Sequence, residues 1–358
     1  METTNHPFPW LELIDRPAFC VKDGVVVAAN SAAKHRMICL ETDIHEIVTE
    51  HRDVYEAFEN GCLYLTINVG KHPCNASVTR TQTYDVFLIN QDTDKDQLQV
   101  LALAAQQLRL PLSNVMTVVD RLLANLDDAD SVSQQQANQI NHGLFQLLRI
   151  ISNMSDARNY QDSYPTNMQT IDFSAMIDEI MEKVQTLSAN TDVQLRYCGL
   201  DTPVLGVACS EKLERAIYNL LSNSLKFAQA GSTVDVKVVR NGNQLSFIVC
   251  NTMAEDCLAQ HSFWNCYRRE PAVEDSRFGL GLGMTLISAV AALHGGTVLI
   301  DHPTQAEARV TLTIAIKKQT TNTVRSPILH IGDYAGGRDK GLLEFAEILP
   351  ADSYENIN

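Results

Sequence analysis

NLLSNSLKF at residues 219–227 and GLGLGMTLISAVAALHGG at residues 279–296 are the two stretches on which the fold turns. In the first, Asn219, Asn223 and Lys226 stand four and three residues apart, so a helix there sets two amides and an ammonium on one face. An amide oxygen suits a magnesium ion already holding phosphate oxygens, and a lysine supplies a point charge to a polyphosphate. Read alone, the same spacing also fits a solvated helix face. In the second stretch Gly279, Gly281 and Gly283 precede an apolar helix, so bare backbone N–H groups and a helix start can approach an anion. Alone, that run also fits a flexible loop. No Lys-Ser or Lys-Thr pair follows the glycines, which separates the run from a Walker-type loop.

Around this pair the sequence predicts an α/β sandwich over residues 168–318. It has a helix over residues 174–188, strands in VQLRY and PVLGVA, a helix over residues 211–228, and a hairpin from VDVKVV to LSFIVC across the turn pair Asn241-Gly242. Upstream, Leu98, Leu101, Ala105, Leu108, Leu112, Val115, Val119, Leu122 and Leu126 recur at three and four residues, a coiled-coil-like helix. After residues 127–130 the pattern resumes from Ala137 to Met154, giving a helical hairpin over residues 93–162. Its apolar stripe is narrow, which predicts pairing with a second hairpin in a four-helix bundle, as a homodimer or as a heterodimer with a related chain.

Residues 1–92 read as two strands about Asp23-Gly24, two short helical stretches and three further strands. That order is similar to a PAS-like sensor domain, and it equally fits a small α/β domain used for dimerisation. Residues 319–358 read as a polar linker followed by the short amphipathic run GLLEFAEIL, expected to dock on another surface.

The 358 residues carry a net charge of −15, which argues against nonspecific binding to nucleic acid or an anionic membrane. No window reaches the ~18 apolar residues of a membrane span, and the first residues lack a secretory pattern, so a cytoplasmic protein is expected. The nine cysteines form no CxxC pair, and His45 and His51 in HEIVTEH are six apart and not the four a zinc-binding helix needs.

Taken together, NLLSNSLKF and the glycine run resemble the N box and second glycine box of the sensor histidine kinase ATP-binding domain, a Bergerat-type fold. FWNCYRRE at residues 263–270 resembles the family's F box, and the hairpin containing LRLPL resembles its dimerisation and phosphoacceptor domain. The resemblance spans about residues 98–317 and implies an α+β multidomain protein that binds ATP with Mg²⁺. It implies that Asn223 ligates the metal, Asn219 and Lys226 contact phosphates, Phe227 flanks the nucleotide, and Gly279, Gly281 and Gly283 hinge a lid. A response regulator is the partner it implies.

The departures bear on activity. The family carries a histidine and an acidic residue just before Leu-Arg-x-Pro-Leu, where this chain has Gln106 and Gln107. A delocalised amide nitrogen is not a nucleophile toward a phosphate, so no catalytic residue is expected here and autophosphorylation is expected to be lost or severely reduced. Leu110 replaces the residue that positions water for dephosphorylating a partner. Asn251 stands for the aspartate that accepts from the adenine amino group, and two glycines after it are gone, so ATP binding weaker than the family's, or none, is expected. The expected role is a pseudokinase of two-component signalling. Phosphorylation of a heterodimer partner in trans and a nucleotide-independent scaffold are its alternatives. His142, on the second hairpin helix, reads as an exposed helical residue.

Overall fold

The computed structural model describes residues 8–70, 72–89, 93–124, 131–159, 167–254, 282–304, 306–317 and 338–354. The N-terminal unit opens with β1 (Ala18–Lys22) and β2 (Val25–Ala29), joined by Asp23 and Gly24 at φ of 52° and 79°. That left-handed pair is the geometry a two-residue hairpin requires. Three short helices follow, α1 (Ser31–His35), α2 (Ile44–Ile47) and α3 (Arg52–Ala57). Asn30 caps α1 by accepting from the Ala33 N–H and also accepts from the Ala18 N–H, tying the helix to β1. Strands β3 (Cys62–Val69), β4 (His72–Arg80) and β5 (Asp85–Ile89) complete an antiparallel sheet in the order β2-β1-β5-β4-β3. Phe19 and Phe87 stack at 4.6 Å between ring centroids, in a core shared with Ile44 and Phe58.

Two long helices follow, α4 (Thr93–Ala124), which contains Pro111, and α5 (Ser131–Asn159). Ala105, Leu112 and Val119 of the α4 stripe are buried, with Leu144, Leu148 and Ile151 of α5 in the same core. The intervening stripe positions Leu108 and Val115 are about half exposed, at 51% and 50%, as is Leu147 of α5. One hairpin therefore covers only alternate members of its own stripe.

The C-terminal unit comprises β6 (Gln169–Asp172), α6 (Phe173–Ser188), β7 (Gln194–Cys198), β8 (Leu205–Ala208) and α7 (Ser210–Lys226). It continues with β9 (Thr233–Asn241), β10 (Gln244–Thr252), α8 (Leu282–Leu293), β11 (Thr297–Asp301) and β12 (Glu307–Ala315). Strands β6 and β8 form a separate pair, and the main sheet runs β11-β12-β10-β9-β7, parallel only between β7 and β9. Val234, Val236 and Val238 alternate inward along β9 and pack with Ile177 and Met181 of α6, Leu221 of α7 and Ile287 of α8. Burying each such side chain contributes about 1.5–3 kcal/mol, so this helix layer holds the sheet.

The two sheets are one. Strand β3 pairs antiparallel with β11 through Tyr64–Val298, Leu63–Leu299 and Cys62–Ile300, giving ten continuous strands. Gly61 allows the approach, because a Cβ there would overlap the Ile300 carbonyl and its φ of +91° already disfavours a side chain. Nothing in the sequence pattern marks this seam. Finally, α9 (Lys340–Glu344) and a 3-10 turn (Ala351–Tyr354) lie against α5, α6 and α7. This is where the amphipathic run GLLEFAEIL docks.

Candidate functional site

Helix α7 has a Leu213, Ile217, Leu220 and Leu221 side set into the core, which turns Asn219, Asn223 and Lys226 toward a different neighbour. His294, just past α8, fixes that neighbour in place. Its Nδ1 donates to the Val290 carbonyl at 2.7 Å and its Nε2 accepts from the Cys209 N–H at 3.1 Å, pinning the end of α8 to the start of α7. Acceptance at Nε2 requires the neutral ring, and burial favours that form, pushing the His294 pKa below its ordinary value despite the Val290 bond, which opposes the shift. With those ends joined, the start of α8 meets the far half of α7. A Cβ added to Gly283 would lie 3.4 Å from Asn223 Nδ2 and 3.5 Å from Asn219 Oδ1. The glycine box and the N box thus meet at Gly283.

The remaining predicted residues fall as follows. Phe227 ends α7, half-buried, its N–H donating to the Asn223 carbonyl and its own carbonyl accepting from the Ala254 N–H at 3.1 Å. Asn251 lies near the end of β10, opposite Ala308 of β12, and is 5% exposed; its Nδ2 has no hydrogen-bond partner among the described residues. Gly279, Gly281 and FWNCYRRE lie outside the described residues. Gln106, Gln107 and Leu110 lie on α4.

Asn219 and Lys226 are already engaged, and by residues that sequence reasoning missed. Asn219 is 1% exposed, and its Nδ2 donates to the Arg215 carbonyl at 3.1 Å and to Glu344 Oε2 at 3.4 Å. Lys226 Nζ pairs with Glu347. Arg149 of α5 reaches Glu344 at 3.5 Å and Glu347 at 3.1 Å, and Arg215 reaches the other Glu344 oxygen at 3.5 Å. These contacts satisfy ion-pair distances, but those of Arg149 and that of Arg215 Nε lack hydrogen-bond alignment. The aligned bond of Arg149 goes instead to Ser222 Oγ at 3.0 Å. The sequence held one sign of this arrangement: two carboxylates three apart inside the apolar GLLEFAEIL.

His142 is not the exposed residue expected. It is half-buried, with Nε2 at 2.7 Å from the Ala346 carbonyl and its ring stacked on Tyr354 at 5.0 Å.

The donor set suits a magnesium nucleotide. It offers a neutral amide at Asn223, an ammonium at Lys226, Gly283 at contact distance from both Asn219 and Asn223, and, on β10, a buried amide at Asn251 with an unused donor. Two of these groups already have carboxylate partners, Asn219 with Glu344 and Lys226 with Glu347.

Residues 209–318 match the family of histidine kinase-, DNA gyrase B- and HSP90-like ATPases. This segment is therefore a domain of that class. Similar curated proteins include the sensor-like histidine kinase SenX3 of Mycobacterium tuberculosis, 25% identical over 56% of this chain and 49% of its own length. The hybrid signal transduction histidine kinase D of Dictyostelium discoideum is 22% identical over 63% of this chain and 15% of its length. Among solved structures, full-length ShkA in complex with AMPPNP is similar, with a TM-score of 0.46 and 18% identity over 62% of this chain and 47% of that one. The chain spans less than half the length of these curated relatives. The chain is thus similar to sensor histidine kinases. Among the described residues no helix is long and apolar enough to cross a membrane.

Proposed function

We propose that the chain is a nucleotide-binding pseudokinase of two-component signalling. In this reading residues 168–318 bind Mg-ATP, residues 93–162 are a HisKA-like dimerisation hairpin, and residues 1–92 are a PAS-like sensor. The observation that carries nucleotide binding is the meeting of Asn219 and Asn223 with Gly283 across two helices. Asn223 holds the magnesium, which neutralises the phosphate chain. Lys226 binds the phosphates, Phe227 flanks the base, and Asn251 contacts its polar edge. Gly279, Gly281 and Gly283 act as the lid hinge.

Gln106 at the phosphoacceptor position supports the loss of autophosphorylation. The half-exposed Leu108, Val115 and Leu147 support pairing of the hairpin with a second copy or a related kinase. The strand order β2-β1-β5-β4-β3, with helices between β2 and β3, supports the sensor assignment. A response regulator is the partner of this reading, and the cytoplasm its location.

Calorimetric titration with Mg-ATP tests it. Binding is expected for the parent chain and lost in Asn223→Ala, while incubation with labelled ATP leaves no acid-labile phosphate on the chain. Label on this chain overturns the pseudokinase, label on a histidine-bearing heterodimer partner replaces it with a kinase acting in trans, and no binding at millimolar ATP leaves a scaffold.

A further inference from the structure

Glu344 is fully buried, and Glu347 is 27% exposed at its side chain. A buried carboxylate costs several kcal/mol unless it is compensated, and apolar docking alone needs none. Here the surrounding Leu343, Phe345, Ala346 and Leu349 already supply an apolar docking side. The two glutamates instead reach four groups, Asn219, Lys226, Arg149 and Arg215, drawn from α7 and from the hairpin helix α5. Two of these, Asn219 and Lys226, are the groups that the nucleotide reading assigns to phosphates. Each carboxylate is an anionic oxygen pair placed where a phosphate chain would need its partners.

The segment is held from both sides of this pocket. Lys340 pairs with Glu214 of α7 at 2.6 Å, and Arg338 with Asp120 of α4 at 2.6 Å. Tyr354 is buried between His142 and Phe145 of α5, and its carbonyl accepts from Asn141 at 3.0 Å. Docking therefore fills the anion pocket and clamps the hairpin to the ATP-binding unit in one contact.

We propose that residues 338–354 are an internal competitor for the nucleotide, with Glu344 and Glu347 standing in for its phosphates. Arg149 and Arg215 are then further phosphate-binding groups, masked while the segment is docked. Nucleotide and segment exclude one another, and nucleotide entry releases the hairpin helix from the clamp. This inference rests on the nucleotide-binding reading above.

The test is calorimetric titration of the full chain with Mg-AMPPNP, comparing the parent with Glu344→Gln/Glu347→Gln and with Tyr354→Ala. The second variant unpins the segment without altering charge in the pocket, and far-UV circular dichroism checks that both fold. A segment docked about nine-tenths of the time lowers apparent affinity about tenfold, so both variants are expected to bind at least about tenfold more tightly than the parent. Amide exchange across residues 338–354 is expected to rise when the parent is saturated. Equal or weaker binding in both variants, with the parent still binding, overturns the competition and leaves nucleotide binding standing. No binding in any of the three removes the nucleotide reading and this inference with it.

Discussion

Two arginine–carboxylate clusters in this molecule use the same chemistry to different ends. In the N-terminal unit Arg80 meets Asp85 through two aligned bonds of 2.9 and 2.7 Å, and Tyr55 donates to the same carboxylate at 2.6 Å. Phe58 and Tyr55 lie under the guanidinium at 4.8 and 5.2 Å, and the Phe58 carbonyl accepts from it. All four residues belong to one compact unit. Around Glu344, by contrast, the guanidinium of Arg149 stands at ion-pair distance without alignment, and the partners lie more than 120 residues apart in sequence from Asn219 and Lys226. Aligned, multiply satisfied charges staple a fold, whereas a cluster whose arginines stand at ion-pair distance without alignment, joined by single bonds from Asn219 and Lys226, forms a contact another anion can replace.

The largest effect should come from breaking the staple. Arg80→Ala leaves Asp85 nine-tenths buried without its cation, and is expected to lower unfolding stability by about 3 kcal/mol in denaturant titrations. A loss below about 1 kcal/mol would make the two clusters equivalent. Glu344→Gln is the complementary change. If the second cluster is replaceable, the segment undocks and its arginines hydrate, so the global midpoint moves by less than about 1 kcal/mol while amide exchange rises within residues 338–354. A cooperative global loss as large as that of Arg80→Ala would show a staple instead.

The smallest effect expected is on pH. His294 resembles the Arg80 cluster in having aligned partners on both sides. Burial holds its pKa below the ordinary value of 6.5, so the unfolded chain takes up the proton first as pH falls. Its contribution is full above pH 6.5 and declines on acidification. Denaturation midpoints are expected to drop from pH 7.5 to 5.5, and His294→Gln should flatten that slope, leaving the share from the likewise depressed His51. An unchanged slope in that variant would remove His294 from the set of fixed polar contacts.

Local signals in the sequence were legible where one stretch of chain decides its own conformation. Asp23-Gly24 and Asn241-Gly242 carry the turns, with Gly242 at φ 58°, and the apolar spacings place α4, α5 and α7 within a few residues. The second of the two short helical stretches expected before β3 is divided into α2 and α3, where His51 and its neighbours leave the helical path. Asn219, Asn223 and Gly283 were legible as a group because two motifs had to coincide. Arg149 and Arg215 were not, since a single arginine on an amphipathic helix has the pattern of a solvated residue until its distant carboxylate is known. The seam between β3 and β11 was hidden for a related reason: an edge strand and an interior strand share one alternation, and only the partner distinguishes them.

That seam makes the two sheets a single mechanical element. One row of paired residues runs from Cys62 through Ile300 and Val310 to Val249, two residues short of Asn251. Strain imposed on the N-terminal sheet has a direct load path to the strand that carries Asn251, through backbone hydrogen bonds and without any linker. Among the described residues three strand pairs carry it from one sheet to the other, fewer than join β11 to β12, so the seam is the narrowest part of the beam.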